Sequence, residues 1–148
     1  MLVGHFMTKA SDVVTCSEWD PVLNVIDAVL DHNISAVVVN DKTHKPVGII
    51  TKTDLVRAYK NGVNLHQKVG VIMATNLRTI LDTCSRDDAA KFLEKNRLHH
   101  AIIVDKEGNF AGIVSVWDVA SEMAKDSRAW PWNRTVDGRV APMMAGVH

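Results

Sequence analysis

The sequence predicts an α/β (α+β) fold made of two β-α-β-β-α repeats that are related by pseudo-two-fold symmetry. An internal repeat, helices with one apolar face and paired apolar strands predict it. Residues 48–54 (GIITKTD) return as residues 112–118 (GIVSVWD), an offset of 112 − 48 = 64 residues. One such unit has a hydrophobic face too large to bury alone. Two copies can bury those faces against each other and leave a cleft between them.

The similarity extends well beyond this motif. Residues 31–59 lie over residues 95–123 without a gap. Upstream the register changes, because Met7-Thr8 pairs best with Met73-Ala74, which lies 73 − 7 = 66 residues later. The predicted organisation is a first repeat at 7–62, a linker at 63–72, a second repeat at 73–125 and a C-terminal tail at 126–148.

The elements of the first repeat follow in order. Residues 8–15 form an extended segment that contains Val13-Val14. Asp20 can cap a helix that has Pro21 at its first position, where no amide donor is needed. Apolar residues in 22–30 then follow the i, i+3, i+4, i+7, i+8 spacing of one helix face. The remaining elements are an apolar strand at 37–39, a polar turn at 40–45, a returning strand at 47–50 and a helix at 51–59.

The second repeat has the same order after an extended segment at 76–81. Ser85 can cap a helix that carries Asp87 and Asp88 in its first turn, where acids favour the helix dipole. A strand at 102–104, a turn at 105–109, a strand at 112–114 and a helix at 116–125 complete it. The tail lacks periodicity but contains Trp130 and Trp132. We expect it to pack across its own domain or a dimer mate, with a membrane surface or a partner groove as the alternatives.

Composition excludes several classes of function. The formal net charge of the 148 residues is zero, which argues against a basic nucleic-acid-binding surface. There is no run of 18 apolar residues and residues 1–7 lack a basic signal-peptide start, so we expect neither a membrane span nor a signal peptide. Cys16 and Cys84 lack metal-ligand or CxxC spacing, and we interpret both as reduced thiols of a cytoplasmic protein.

At this point the residues resemble a known family. Residues 96–105 (NRLHHAIIVD) followed by 112–118 are similar to the adenylate-sensing members of that family. Two β-α-β-β-α units with the repeated G-h-h-[ST]-x-x-D motif resemble a tandem pair of CBS domains, also called a Bateman module, over residues 7–125. The resemblance implies a regulatory module that binds AMP, ADP or ATP between the repeats, with S-adenosylmethionine or NAD(H) as alternatives and no covalent cofactor. It also implies a homodimer through the outer helices and an unidentified regulated protein.

The repeated motif has chemistry that suits a nucleotide. Asp54 and Asp118 lie in the first turn of a helix, where a carboxylate can accept two hydrogen bonds from the vicinal hydroxyls of a ribose. Thr51 and Ser115 lie at the helix N-terminus beside free amide donors, a position suited to phosphate. The glycine lets the backbone approach a flat ring.

Apolar strand residues indicate where an adenine would bind, and the resemblance implies where a phosphate would bind. Val13, Val14 and Leu77 are apolar strand residues that could sandwich an adenine. The resemblance implies that the Asp54 side faces His99 and His100, which match the positions that touch phosphate in adenylate-sensing relatives. We expect this site to prefer AMP, ADP or ATP, with phosphate affinity that rises as pH falls through the histidine range.

The resemblance implies a different second site. Asp118 and Ser115 would face Ser35 and Ala36, which offer no charge. We expect this site to be empty or to take a less charged adenosyl compound.

Simpler interpretations stay open for the same residues. Asp54 and Asp118 could be helix caps alone, and one of the two histidines could be a buried, hydrogen-bonded residue. A metal pair at His99-His100 is disfavoured, because adjacent strand residues point to opposite faces. No nucleophile or cofactor fingerprint is present, so we expect no catalytic activity. The alternative function is a ligand-free dimeric module that binds another protein.

Overall fold

The computed structural model describes residues 1–126 and, as backbone, two short strands further on. The strands are β1 (Thr8–Lys9), β2 (Thr15–Cys16), β3 (Ala36–Asn40), β4 (Pro46–Thr51), β5 (Thr79–Leu81), β6 (His100–Val104), β7 (Phe110–Ser115), β8 (Thr135–Val136) and β9 (Arg139–Val140). The helices are α1 (Val22–His32), α2 (Lys52–Lys60), α3 (Arg86–Asn96) and α4 (Val116–Ala124). The predicted packing of Trp130 and Trp132 lies outside the described residues.

The two repeats have the same sheet topology, which confirms the predicted fold. In each, a short first strand runs parallel to the middle strand, and the middle strand pairs antiparallel with the third. Val38 faces Ile49 in one sheet, and Ile102 faces Ile113 in the other, 64 residues later. The register also shifts at the equivalent point of each hairpin, so the repeat holds down to single positions.

The segments that precede each repeat are exchanged between the repeats. We call residues 1–9 the first arm and residues 69–74 the second arm. In the first arm, β1 pairs with β7 of the second repeat, and Val3 is buried in that repeat's core. In the second arm, Ala74 bridges Ile49, and Val69 is buried in the core of the first repeat. Part of the stretch predicted as a linker is therefore core of the preceding repeat.

The motif glycines provide the room for these arms. A Cβ atom on Gly48 would lie 2.6 Å from Sδ of Met73, and one on Gly112 would lie 2.9 Å from Sδ of Met7 and against the carbonyl oxygen of Thr8. The close approach predicted for a ligand ring is therefore made by the other repeat's arm. The register of the second arm is shifted by two residues relative to the first. With this shift, Met7 and Met73 contact equivalent glycines of the two repeats.

The helix starts were predicted correctly for α3 and wrongly for α1. Ser85 Oγ accepts from the amide of Asp88 at 3.0 Å, as the sequence predicts. Asp20 does not cap α1, because its carboxylate accepts from the amide of Ser17 at 3.0 Å. The amide of Val22 instead donates to the carbonyl of Gln67 at 2.9 Å, so the backbone between the repeats caps this helix.

Each repeat has its own apolar core beneath its helices, and the apolar outer sides of the helices remain exposed. Val25, Val37 and Ile50 belong to the first core, and Leu93, Ile103 and Val114 to the second. None of the described helices has the length and hydropathy that a bilayer span requires.

We expect Gly112→Ala to destabilise the protein by about 1–3 kcal/mol, because the new methyl group overlaps the backbone of the first arm. Gly48→Ala should cost less, since its methyl group meets only the side chain of Met73. The measurement is the free energy of unfolding from urea denaturation.

The matched controls are the pairs with the contacting methionines. Met73→Ala should recover part of the loss in Gly48→Ala, whereas Met7→Ala should not rescue Gly112→Ala, because the carbonyl of Thr8 remains in the way. Equal losses for the two glycines, or full rescue at Gly112, would contradict this packing.

Candidate functional site

A cleft of about 400 Å³ lies between the two repeats. Its walls are formed by the segment before β2, the α1–β3 loop and the start of α2 from the first repeat, and by β6, β7 and the start of α4 from the second. The lining residues are Thr8, Asp12, Val13, Val14, Asn33, Ile34, Ser35, Ala36, Lys52, His100, Ile113, Ser115 and Asp118. We call it the Asp118 cleft.

Asp118 both caps a helix and faces the cleft. Its Oδ2 accepts from the amide of Ser115 at 2.8 Å, and its own amide donates to Ser115 Oγ at 3.1 Å, which completes a capping box at the start of α4. None of the hydrogen bonds among the described residues engages Oδ1. One carboxylate oxygen thus fixes the side chain while the other retains its acceptor capacity.

Asp54 forms the same cap, but its second carboxylate oxygen has a hydrogen-bond partner. Its Oδ2 accepts from the amide of Thr51 at 2.9 Å, and its Oδ1 accepts from Arg57 Nη1 at 3.1 Å. The position equivalent to Arg57 in the second repeat is Ser121, since 57 + 64 = 121. Arg57 therefore binds Oδ1 of Asp54, whereas the corresponding oxygen of Asp118 remains open. The helix-cap interpretation holds for both aspartates, but it uses only one oxygen of Asp118.

His100 joins the two repeats across the cleft. Its Nε2 lies 2.9 Å from Oγ of Ser35, with which it shares a hydrogen bond, while Nδ1 is buried without a partner. Burial holds the pKa of His100 below its ordinary value of 6.5, the charge of His99 lowers it further, and Asp118 acts in the opposite direction. The ring is therefore neutral at pH 7 and contributes a polar but uncharged edge to the cleft.

Five of the nine residues predicted for ligand binding line this one cleft: Val13, Val14, His100, Ser115 and Asp118. Thr51, Asp54, Leu77 and His99 are not part of its lining, and His99 instead lines a groove between α3 and α4. The expected position of His100 beside Asp54 differs from the structure. His100 faces Ser115 in the β6–β7 ladder, which places it on the Asp118 side.

Two charged residues of the cleft were missed from the sequence. Lys52 is the first residue of α2, and Asp12 lies in a 3-10 turn at Ala10–Asp12. Ser35 and Ala36 do face Ser115 and Asp118, as the sequence predicts, but Lys52 and Asp12 add charge to this side. Comparison of the repeats could have identified Lys52, because the equivalent residue in the second repeat is the apolar Val116. Asp12 was missed because it lies in a segment that was predicted to be continuously extended.

The thiols are poor nucleophiles. Burial, with a smaller effect of the Asp20 carboxylate, raises the pKa of the Cys16 thiol to about 11. Burial also raises the pKa of Cys84, helped by Asp88. Among residues 1–126, no group of His, Cys, Asp and Glu side chains has an arrangement that could hold a metal ion.

The sequence model of the CBS domain matches the chain twice, at residues 3–61 and 69–125. An uncharacterized 17.7 kDa protein of Acidianus ambivalens is 29% identical over 76% of this chain and 71% of its own length. An uncharacterized protein of Methanocaldococcus jannaschii is 32% identical over 85% of this chain, but the match spans only 30% of that protein. An inosine-5′-monophosphate dehydrogenase of Nitrosopumilus maritimus is 29% identical over 73% of this chain and 23% of its own length.

Solved structures share the fold at low sequence identity. CBSX2 in complex with AMP superposes with a TM-score of 0.77 and 21% identity, covering 84% of this chain and 96% of that one. The CBS domain pair of protein MJ0100, in complex with 5′-methylthioadenosine and S-adenosyl-L-methionine, has a TM-score of 0.76 and 23% identity over 84% of this chain and 97% of that one. At these identities the likeness shows the fold alone.

We expect His100 to titrate below pH 6.5, because burial disfavours its charged form. The unfolded chain then binds the proton more readily than the folded one. The free energy of unfolding should therefore fall as pH decreases from 6.5 through the lower folded-state pKa. Proton NMR titration of the imidazole measures the pKa, and His100→Gln should remove this part of the pH dependence. A midpoint at or above 6.5 would contradict the burial argument.

Proposed function

Since the chain belongs to the CBS domain family, we propose that it is a regulatory module that binds an adenosine-containing ligand and thereby alters the activity or assembly of a partner protein. The observation that carries the proposal is the Asp118 carboxylate, which is fixed by its helix cap and keeps one oxygen open to a cleft of about 400 Å³. The AMP complex of CBSX2 and the 5′-methylthioadenosine and S-adenosyl-L-methionine complex of MJ0100 support an adenosyl ligand.

The ribose would bind at Asp118. The open Oδ1 can accept hydrogen bonds from the vicinal hydroxyls, and a hydrogen bond to a charged group contributes about 1.5–3 kcal/mol. Because the cap already holds the side chain, little rotational freedom is lost on binding. At Asp54 a ribose would first have to displace Arg57, so the Asp118 cleft is the better-supported site. The preference of the Asp54 site for AMP, ADP or ATP stays a prediction.

The adenine would lie against the apolar wall of the same cleft. Val13 and Val14 come from the first repeat and Ile113 from the second, so a flat ring between them contacts both repeats. Burying an apolar ring surface contributes about 25 cal/mol per Å² removed from water. The adenosyl part of the ligand therefore supplies affinity from both sides of the cleft.

The charges of the cleft select the group at the 5′ position. Asp12 and Asp118 provide two carboxylates, Lys52 provides one ammonium group, and His100 is neutral at pH 7. A triphosphate would bring more negative charge than Lys52 can compensate. We therefore propose a monophosphate or a less charged adenosyl group, such as a thioether or a sulfonium with a zwitterionic tail, in preference to ATP.

Regulation would follow from the position of the ligand between the repeats. The hydrogen bond between Ser35 and His100 crosses the cleft, and a ligand in contact with Val13 and Asp118 would bridge the same two walls. A ligand that binds one angle between the repeats better than another shifts the population toward that angle. A partner protein that reads this angle would then respond to ligand concentration.

We also propose a homodimer, because the outer helices expose apolar side chains in both repeats. The free thiols of Cys16 and Cys84 support the cytoplasmic location predicted from the sequence. A second candidate function is a ligand-free module that binds proteins through these helix faces. It is favoured by the helix caps, which give Asp54 and Asp118 a structural role without a ligand.

We expect Asp118→Asn to weaken binding of 5′-methylthioadenosine, S-adenosylmethionine and AMP at least tenfold, which corresponds to about 1.4 kcal/mol. The amide loses the charge but keeps an oxygen that can accept from Ser115. Asp54→Asn is the matched control and should change affinity little. Isothermal titration calorimetry is the measurement. Loss of binding in Asp54→Asn alone, or no binding to the wild type at millimolar ligand, would refute this site.

The same titration tests the charge of the 5′ group. Lys52→Gln should weaken binding of AMP but leave 5′-methylthioadenosine unchanged, because only AMP presents an anion to the ammonium group. Lys60→Gln, at the other end of α2, is the control and should affect neither ligand. Equal weakening of both ligands by Lys52→Gln would contradict this assignment.

A further inference from the structure

Lys52 lies where two cavities of the first repeat meet. It lines the Asp118 cleft, and it also lines an outer groove of about 410 Å³ between α1 and α2. Of the described residues, Lys52 is the one that lines both cavities. The other residues of the α1–α2 groove carry no charge, and they are Ile26, Val29, Leu30, Leu55, Val56 and Tyr59.

The backbone of Lys52 is held in place, whereas its ammonium group is not. The amide of Lys52 donates to the carbonyl of Ser35 at 3.2 Å, and Oγ of Ser35 shares the hydrogen bond with His100 across the cleft. The ion pairs within residues 1–126 do not include Lys52. A lysine stem packs along apolar surface while its charged end stays in polar surroundings. The stem can therefore lie beside Val56, one helix turn away, or follow the ammonium group into the cleft.

The second repeat has the same backbone contact without the charge. The residue equivalent to Lys52 is Val116, since 52 + 64 = 116, and its amide donates to the carbonyl of His99 at 2.9 Å. Val116 lines the groove between α3 and α4 but not the Asp118 cleft. A connection between the cleft and an outer groove that depends on charge is therefore confined to the first repeat.

We propose that Lys52 couples the charge of the ligand in the Asp118 cleft to the shape of the α1–α2 groove. An anionic 5′ group attracts the ammonium group into the cleft, and the lysine stem then leaves Val56 and uncovers apolar surface in the groove. An uncharged 5′ group leaves the stem in place. The surface formed by α1 and α2 thus differs between AMP and 5′-methylthioadenosine, although both bind the same cleft. This inference rests on the adenosyl site proposed above.

A fluorine label in the groove measures this coupling. Val56 is 68% exposed, and Val56→Cys modified with a trifluoromethyl thiol reagent places the label one helix turn from Lys52. Burial raises the pKa of Cys16 and of Cys84, so the exposed new thiol reacts first. We expect saturating AMP to shift the fluorine NMR resonance, and saturating 5′-methylthioadenosine to shift it much less.

Two matched controls assign the shift to Lys52. In the labelled protein that also carries Lys52→Gln, saturating AMP should shift the resonance no more than 5′-methylthioadenosine does. Ala120→Cys carries the label at the equivalent position of the second repeat, since 56 + 64 = 120, and its resonance should respond equally to both ligands. An AMP shift that survives Lys52→Gln, or equal responses to both ligands at position 56, would overturn the coupling.

Coupling is reciprocal, so a change in the groove should alter the affinity of the cleft. Val56→Glu places a carboxylate four residues after Lys52, where it can pair with the ammonium group on the groove side. It should weaken binding of AMP severalfold in calorimetry and leave 5′-methylthioadenosine unchanged. Val56→Gln should affect neither ligand, and Tyr59→Glu, which adds the same charge further along α2, should weaken AMP less. Equal AMP affinities of Val56→Glu and Val56→Gln would contradict the coupling.

Calorimetry on the wild type separates failure of the coupling from failure of the site. Absence of binding of both ligands at millimolar concentration would refute the adenosyl site and the inference together. Binding of both ligands, with no difference between them at the position-56 label, would overturn the coupling and leave the site intact.

Discussion

The exchange of arms between the two repeats is the constraint on which the rest of the structure depends. Val3 is buried in the second repeat's core and Val69 in the first, so neither core is complete without the segment that precedes the other repeat. An arm lies against the glycine at each of positions 48 and 112, with side-chain contact at Gly48 and backbone contact at Gly112. The exchanged arms join the two repeats, and the walls of the Asp118 cleft belong to both.

The repeated motif serves this structure and the site with the same residues. Its glycine receives an arm, its hydroxyl residue and aspartate form a capping box, and only the second aspartate keeps an oxygen open. Arg57 causes this difference, because it forms an ion pair with Asp54. The equivalent residue in the second repeat is Ser121, which has no charge to pair with Asp118. A symmetric fold thus carries two capping boxes whose second carboxylate oxygens differ.

The sequence predicted those parts of the fold that depend on local pattern and on repetition. The order of helices and strands along the chain and the cap at Ser85 follow from periodicity and from residue type. The cap at Asp20 was wrong, because backbone carbonyls from residues 65 and 67 reach the first amides of α1, and no local pattern contains that contact.

The site was predictable only in part, for the same reason. The sequence identified Val13, Val14, Ser115 and Asp118 as candidate binding residues. In the structure, they line one cleft. The placement of His100 depends on its register against β7, and the contribution of Lys52 depends on the packing of one repeat against the other. Both depend on contacts between residues that are distant in sequence, and spacing along the chain does not predict such contacts.

A crystal structure of the protein soaked with 5′-methylthioadenosine tests the central claim most directly, because that claim is a ligand position. We expect the ribose hydroxyls within hydrogen-bond distance of the Asp118 carboxylate and the adenine between Val13, Val14 and Ile113. A ligand held by Asp54 after displacement of Arg57, with the Asp118 cleft empty, would contradict it.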